Sequence, residues 1–269
     1  MAVNWVDRVP TRANRVLVTP ENGGTPYYAT ITRADEPSVV GTPVNAANLN
    51  AMQNAAGLTA NKTVYVSSTG SDTTGTGAQA APYATIGKAL GSIPKNLNGF
   101  SATINIAAGI YPENVTIQHF GNGTLAITGI SGANVTINSL FVDNVRLIEI
   151  NNIFLSITNS FMNVIGSNVR VLSPLAVSGG QYGVYASYFS NVTLRGSVTV
   201  TNVTNAIFST SGSTVYVDQL LGSGITVAFA STLGSICAFD KDESSATTKY
   251  YTLGGGRIFS GSQTNVPNY

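Results

Sequence analysis

Charge is scarce in this chain. Of 269 residues, 13 are Lys or Arg and 12 are Asp or Glu, far below the quarter that globular proteins carry. The net charge of +1 removes the electrostatic case for a nucleic-acid partner or an anionic membrane surface. Cysteine is rarer still. Cys237 is alone, so no internal disulfide exists, and a buried small hydrophobe is expected there. No run of about eighteen apolar residues occurs, which excludes a membrane-spanning helix; the short segments also lack the roughly ten-residue strands and aromatic girdles of a membrane barrel. The opening Met1-Ala2-Val3-Asn4-Trp5 has no basic-then-apolar signal segment. No phosphate-cradling glycine motif is present, since the glycines at 254 to 256 lack the strand, Lys and helix around them. A soluble protein held by packing, strand ladders or partner subunits is expected.

What the chain does have is rhythm. From about Thr103 to Val227 a turn residue, often Asn, precedes an apolar–polar–apolar triplet: Ile104-Asn105-Ile106, Leu125-Ala126-Ile127, Val145-Arg146-Leu147, Val169-Arg170-Val171, Val192-Thr193-Leu194 and Val215-Tyr216-Val217. A second series reads Val115-Thr116-Ile117, Val135-Thr136-Ile137, Leu155-Ser156-Ile157, Leu175-Ala176-Val177, Val198-Thr199-Val200 and Ile225-Thr226-Val227. A looser third falls at Phe141, Phe161, Val184 and Ile207. A strand-built repeat of about twenty residues predicts a solenoid. The fold class is therefore all-β: a parallel β-helix with three short strands per coil. Outer triplet positions face inward and the middle one outward, and right-handed winding is the default for parallel connections.

Four regions follow. Residues 1-60 fall outside the coil period and concentrate charge. Val16-Leu17-Val18 and Tyr27-Tyr28-Ala29-Thr30-Ile31, joined through Gly23-Gly24, predict a hairpin. Thr42-Pro43 followed by Ala47, Ala51, Met52 and Ala55 predicts a short helix stopping at Gly57. This small α/β segment has too little core to stand alone, and is either a capping module or a docking segment that completes its fold against another protein. Residues 61-100 open the solenoid: strand Val64-Tyr65-Val66, a flexible loop from Gly70 to Gly77, and a capping helix with Ile86, Ala89, Leu90 and Ile93 on one face, ended by Pro94. Residues 101-235 form the parallel β-helix. Residues 236-269 form a C-terminal cap or trimerisation segment.

Two stretches resemble known families. Asn4-Trp5-Val6-Asp7-Arg8-Val9-Pro10, Tyr27-Tyr28-Ala29-Thr30, Arg33-Ala34-Asp35-Glu36-Pro37 and Gly41-Thr42-Pro43-Val44-Asn45-Ala46-Ala47-Asn48-Leu49-Asn50-Ala51 resemble the N-terminal leader of tail-fibre-like structural proteins of phages and prophages of Gram-positive bacteria. The resemblance covers about the first 55 residues. It implies attachment to other virion proteins, with Trp5, Arg8, Tyr27, Tyr28, Arg33 and Asp35 as the docking residues, a homotrimeric assembly and a location in a phage tail or other external appendage. Tyr65-Val66, Gly70-Ser71-Asp72, Pro82-Tyr83, Thr85-Ile86 and Ala107-Ala108-Gly109-Ile110-Tyr111-Pro112-Glu113-Asn114 resemble the opening of pectate-lyase-like β-helix domains over residues 63 to 120, which identifies fold better than activity.

The chemistry of the solenoid points to binding. The aspartate cluster that holds calcium in pectate-lyase-like enzymes has no counterpart here, because Glu113, Asp143, Glu149 and Asp218 do not recur one coil apart. Asp143 and Glu149 could reach glycosidase spacing only if a turn folds them together; the plainer reading is two solvated turn carboxylates. Asp240, Asp242 and Glu243 lack an Asp-x-Asp-x-Asp-Gly loop and read as a solvated loop. His119 lacks the partner that acid–base work needs. No cofactor, metal or catalytic set is expected.

Arg146 and Arg170 occupy the outward position of one strand line, one coil apart, with Thr193 and Tyr216 continuing the line and Arg195 nearby. Such a row serves a subunit contact, a host surface glycan, or an ordinary solvated face. Tyr182, Tyr185, Tyr188 and Phe189 crowd one coil; some are expected in the core, and the exposed remainder suits sugars or interfaces. Asn114, Asn122, Asn134, Asn191 and Asn202 begin Asn-x-Thr triplets, read here as turn residues. The expected function is a receptor-binding virion appendage without enzymatic activity. A polysaccharide depolymerase and a non-binding head fibre, decoration or baseplate spacer are the alternatives.

Overall fold

The computed structural model describes residues 15–18, 27–30, 57–158 and 161–261. The chain divides into two compact units, Met1–Ala55 and Ala56–Tyr269. In the first, Arg15–Val18 and Tyr27–Thr30 pair antiparallel, Val16 opposite Ala29 and Leu17 opposite Tyr28. That is the hairpin predicted from the Gly-Gly turn. The predicted helix through Ala47 to Ala55 lies outside the described residues.

The second unit is a β-solenoid of about seven turns. Three parallel ladders run along it. The first stacks Val64, Ile104, Ile127, Ile150, Val171, Leu194, Val217 and Phe239. The second stacks Tyr111, Ile137, Ile157, Val177, Val200, Gly222 and Ser244. The third stacks Val115, Leu140, Met162, Val184, Ile207, Phe229 and Tyr250. Strand alternation turns every second side chain inward, so the ladders close around one apolar core in which Ile104, Ile150, Val200 and Phe229 are fully buried. No coil encloses its apolar residues without its neighbours, and the stack stabilises all of them.

The ladders correct the register read from the triplets. Ile148-Glu149-Ile150, not Val145-Arg146-Leu147, pairs with Val169-Arg170-Val171. Ile104 pairs with Ile127, not Leu125. Val115-Thr116-Ile117 belongs to the third ladder, and Leu220-Leu221-Gly222, not Ile225-Thr226-Val227, continues the second. In the third ladder the inward residues are Leu140 and Met162, leaving Phe141 and Phe161 outside the buried core. Alternation alone cannot detect such slips, because an apolar–polar–apolar phrase reads the same wherever along the chain it starts.

A hydroxyl column fixes the register instead. Ser167, Ser190, Ser213 and Ser235 are buried at the corner between the third and first ladders. Each Oγ accepts the backbone N–H of the preceding coil: Ser167 from Val145 at 2.9 Å, Ser190 from Ser167 at 3.4 Å, Ser213 from Ser190 at 3.1 Å and Ser235 from Ser213 at 3.1 Å. The corner's inward backbone groups are thereby satisfied without water. Cys237 is fully buried beside Ser209 Oγ at 3.3 Å, as expected for a small hydrophobe, and burial pushes its thiol up to about 12.

The N-terminal end of the core is covered as predicted. A six-residue helix, Ile86–Gly91, buries Ile86, Ala89 and Leu90, with Thr85 as N-cap accepting from Lys88 N. Asp72 in the preceding loop accepts from Ala84 N, Thr85 N and Thr85 Oγ1 at 2.8, 3.1 and 2.6 Å, and the Glu113 carboxylate accepts from Ile86 N and Gly87 N, both at 2.9 Å. The loop expected to be flexible is tied to the helix by these bonds. At the other end, Asp242 stands in register with Leu220 in a core column. Its side chain is 4% exposed, faces Lys249 Nζ at 3.3 Å and accepts from Ser244 N and Oγ at 3.0 and 2.7 Å.

Candidate functional site

The corner that carries the serine column is not uniform. From Ser167 onward each coil passes from the corner residue to the first ladder through one residue, as Ser167-Asn168-Val169 and Ser190-Asn191-Val192 do. Val145 takes the equivalent corner position, since Asn168 N donates to its carbonyl at 3.1 Å, just as Asn191 N donates to Ser167 O at 2.9 Å. Arg146 therefore matches Asn168, and Leu147 is an extra residue before Ile148. One coil earlier, Phe120 fills the corner, because Arg146 N donates to its carbonyl at 2.9 Å. There Gly121 holds the matching position and Asn122-Gly123-Thr124 are extra before Leu125.

These additions push the chain outward and shape an open groove of about 880 Å³, lined across five successive coils by Asn98, Gly99, Asn122, Gly123, Thr124, Arg146, Leu147, Asn168, Arg170, Asn191 and Thr193. Gly123 is dictated by proximity: a Cβ there would stand 2.2 Å from Phe100 O. Asn98 and Asn122 hold φ of 51° and 55°, left-handed turns that asparagine tolerates. A smaller hollow of about 270 Å³ adjoins it, lined by His119, Phe120, Gly121, Asn144, Val145, Arg146, Gly166 and Asn168. Arg146 and Asn168 line both. Neither hollow has an Asp or Glu in its lining.

The two arginines that sequence spacing stacks are thus not stacked. Glu149 lies beneath Arg170 in the ladder, and Arg170 Nη1 meets its Oε1 at 2.7 Å. Arg146 sits at the corner, exposed, with no carboxylate partner among the described residues. The outward line above Arg170 does continue through Thr193 and Tyr216. Both arginines line the groove; Arg195 and Tyr216 do not. Arg195 occupies a bulge after Leu194, pairs with Asp218 at 3.0 Å and lies 4.6 Å over the Tyr216 ring. The charge of Asp218 and its hydrogen bond, with a smaller contribution from the Tyr216 phenol group, raise the Arg195 pKa. Tyr216 donates to Asp240 Oδ2 at 2.5 Å; that bond, then burial, pushes its phenol up to about 12.

None of the four crowded aromatics enters the core. Val184 and Ala186 fill that coil, while Tyr185 stacks on Phe208 outside the sheet at 5.5 Å between ring centroids and touches Tyr182 and Phe161. Tyr188 and Phe189 form an exposed left-handed turn, 65% and 83% accessible. Burial raises the Tyr185 phenol pKa.

The candidate acids are dispersed. Asp143 accepts from Gln118 at the end of the third ladder, and Glu149 pairs with Arg170. Asp240, Asp242 and Glu243 lie on one strand, Ile236–Ser244, rather than in a loop: the first accepts from Tyr216, the second has a buried side chain paired with the partly exposed Lys249, and the third pairs with Lys241 at 2.6 Å. Among the described residues no group of three or more His, Cys, Asp or Glu is placed to hold a metal ion. Of the Asn-x-Thr asparagines, Asn122 and Asn202 have left-handed backbones, whereas Asn114, Asn134 and Asn191 lie within strands. Trp5, Arg8, Arg33 and Asp35 lie outside the described residues, and Tyr27 and Tyr28 fall on the second hairpin strand. No protein family, curated protein or solved structure matches this chain.

Proposed function

We propose that the chain is a phage virion structural protein, a tail-fibre or tailspike-like receptor-binding appendage that docks by residues 1-60, assembles as a homotrimer and presents its solenoid to host surface glycan. One observation carries the binding half of this reading: a polar groove spans five coils, is lined by asparagine amides, threonine hydroxyls and two guanidiniums, and has no carboxylate in its walls. Amides and guanidiniums in a shallow groove hold sugar hydroxyls through several parallel hydrogen bonds. Each contact is weak, and copy number on a virion multiplies them. The attachment half rests on the resemblance of the N-terminal leader.

Sedimentation of the purified protein with intact Gram-positive cells tests the reading. Saturable co-sedimentation, competed by surface polysaccharide extracted from the same cells, is the expected result. Absence of binding at high protein concentration overturns it in favour of a spacer. Release of reducing ends or unsaturated products from that polysaccharide would make the protein a depolymerase. Light scattering checks the trimer, which a monomer at micromolar concentration refutes.

A further inference from the structure

Resting on the reading of the groove as a saccharide site, the geometry points to a ligand class: we propose that the groove selects acidic saccharides, with Arg146 holding the acid. Four observations converge. Arg170 and Arg195 are each neutralised by a carboxylate, at 2.7 and 3.0 Å, whereas the Arg146 guanidinium has no carboxylate or hydrogen-bond partner among the described residues. Arg146 lines both hollows, so a group bound to it is reached from either side. No Asp or Glu in either lining repels an anion. The surrounding donors and acceptors suit hydroxyls: Asn168 Nδ2 is used on Arg146 O at 2.9 Å, which leaves its Oδ1 to accept, and Thr193 offers a hydroxyl two positions along the neighbouring coil.

The placement of Arg146 has a structural origin. In the next two coils its position is Asn168 and Asn191, and the extra Leu147 lets the chain step outward where the arginine stands. A planar guanidinium presents two parallel N–H donors that match a carboxylate or a phosphate. Solvent exposure and salt screening limit the gain, so the expected signature is moderate, salt-sensitive affinity.

Titration calorimetry of the full-length protein at low ionic strength tests this with three probes: hexagalacturonate, phosphorylated maltohexaose and maltohexaose. At least one acidic probe binds at least tenfold tighter than maltohexaose, and its affinity falls with added salt. The carboxylate and phosphate arms identify which acid is taken. Arg146→Gln lowers acidic-probe affinity at least tenfold without moving the melting temperature, and Lys241→Gln, remote from the groove lining, changes nothing. Equal affinity for maltohexaose, an unchanged Arg146→Gln, or no acidic binding at millimolar concentration overturns the inference. Cell sedimentation run in parallel separates the two claims. Cell binding that survives Arg146→Gln, with no acidic probe bound, overturns the inference alone. Acidic-probe binding without any cell binding overturns the receptor reading and leaves the Arg146 site standing.

Discussion

The corner before the first ladder is built in two ways along one solenoid. In the later coils Ser167, Ser190, Ser213 and Ser235 turn it with one spacer residue each and buried hydroxyl-to-amide bonds. In the earlier coils Phe120 and Val145 plug the same position and extra residues follow, leaving the groove outside. A polar column demands fixed spacing, because every hydroxyl must meet one N–H. An apolar plug only has to fill volume, so insertions beside it are tolerated. Regularity and a binding surface thus sit at opposite ends of one architectural choice.

Breaking the plug should have the largest effect. Phe120 is 1% exposed and lies 3.9 Å beneath Lys95 Nζ; Phe120→Ala is expected to cost about 3–5 kcal/mol, read as lowered thermal and denaturant midpoints. The column comes next. Ser213→Ala strands the buried N–H of Ser190, at about 1–3 kcal/mol, and hydrogen exchange at Ser190 should accelerate more than at Val145. An equal loss of protection at both sites would show that the column does not act bond by bond.

A pH titration sharpens the contrast on the outer face. The Tyr216 phenol is pushed up to about 12 by its bond to Asp240, against about 10 in an unfolded chain. Below pH 10 both states are protonated and the full stabilisation is present. As pH rises from 10 towards 12, the unfolded chain ionises first and stability falls. Tyr216→Phe should flatten that alkaline decline, checked by melts across the window. Smallest is Glu149→Gln, which frees Arg170 at a cost of about 0–1 kcal/mol; it doubles the unpaired guanidiniums in the groove, and acidic-probe affinity should rise.

The repeat, its three strands per coil and the covering helix with its apolar face at Ile86, Ala89 and Leu90 were legible in the sequence, because alternation and helical spacing are local patterns. The register was not. Val145-Arg146-Leu147 imitates a ladder triplet, and the true one, Ile148-Glu149-Ile150, starts three residues later. A serine two positions before the first inward residue of the ladder, at 167, 190, 213 and 235, supplies the missing ruler; its absence before Ile148 marks the altered corner. The groove was half visible. Arg146 and Arg170 were singled out, yet the asparagines beside them read as turn formers, since their common wall depends on where insertions fall. Tyr216 does continue the outward line of Arg170, and Arg195 was placed nearby, yet their bonds to Asp240 and Asp218 hold both outside the groove lining.

Among the described residues the second ladder ends on the strand that carries Asp242. The next copy of a coil would lay an aliphatic side chain on Leu220's column; a carboxylate already neutralised by Lys249 offers such a newcomer nothing to adhere to. Exposed ladder ends otherwise recruit further strands without limit, as fibrils do. Among the described residues one carboxylate thus interrupts an aliphatic column, and Asp242→Leu is expected to raise end-to-end association, read as filaments that lengthen with protein concentration.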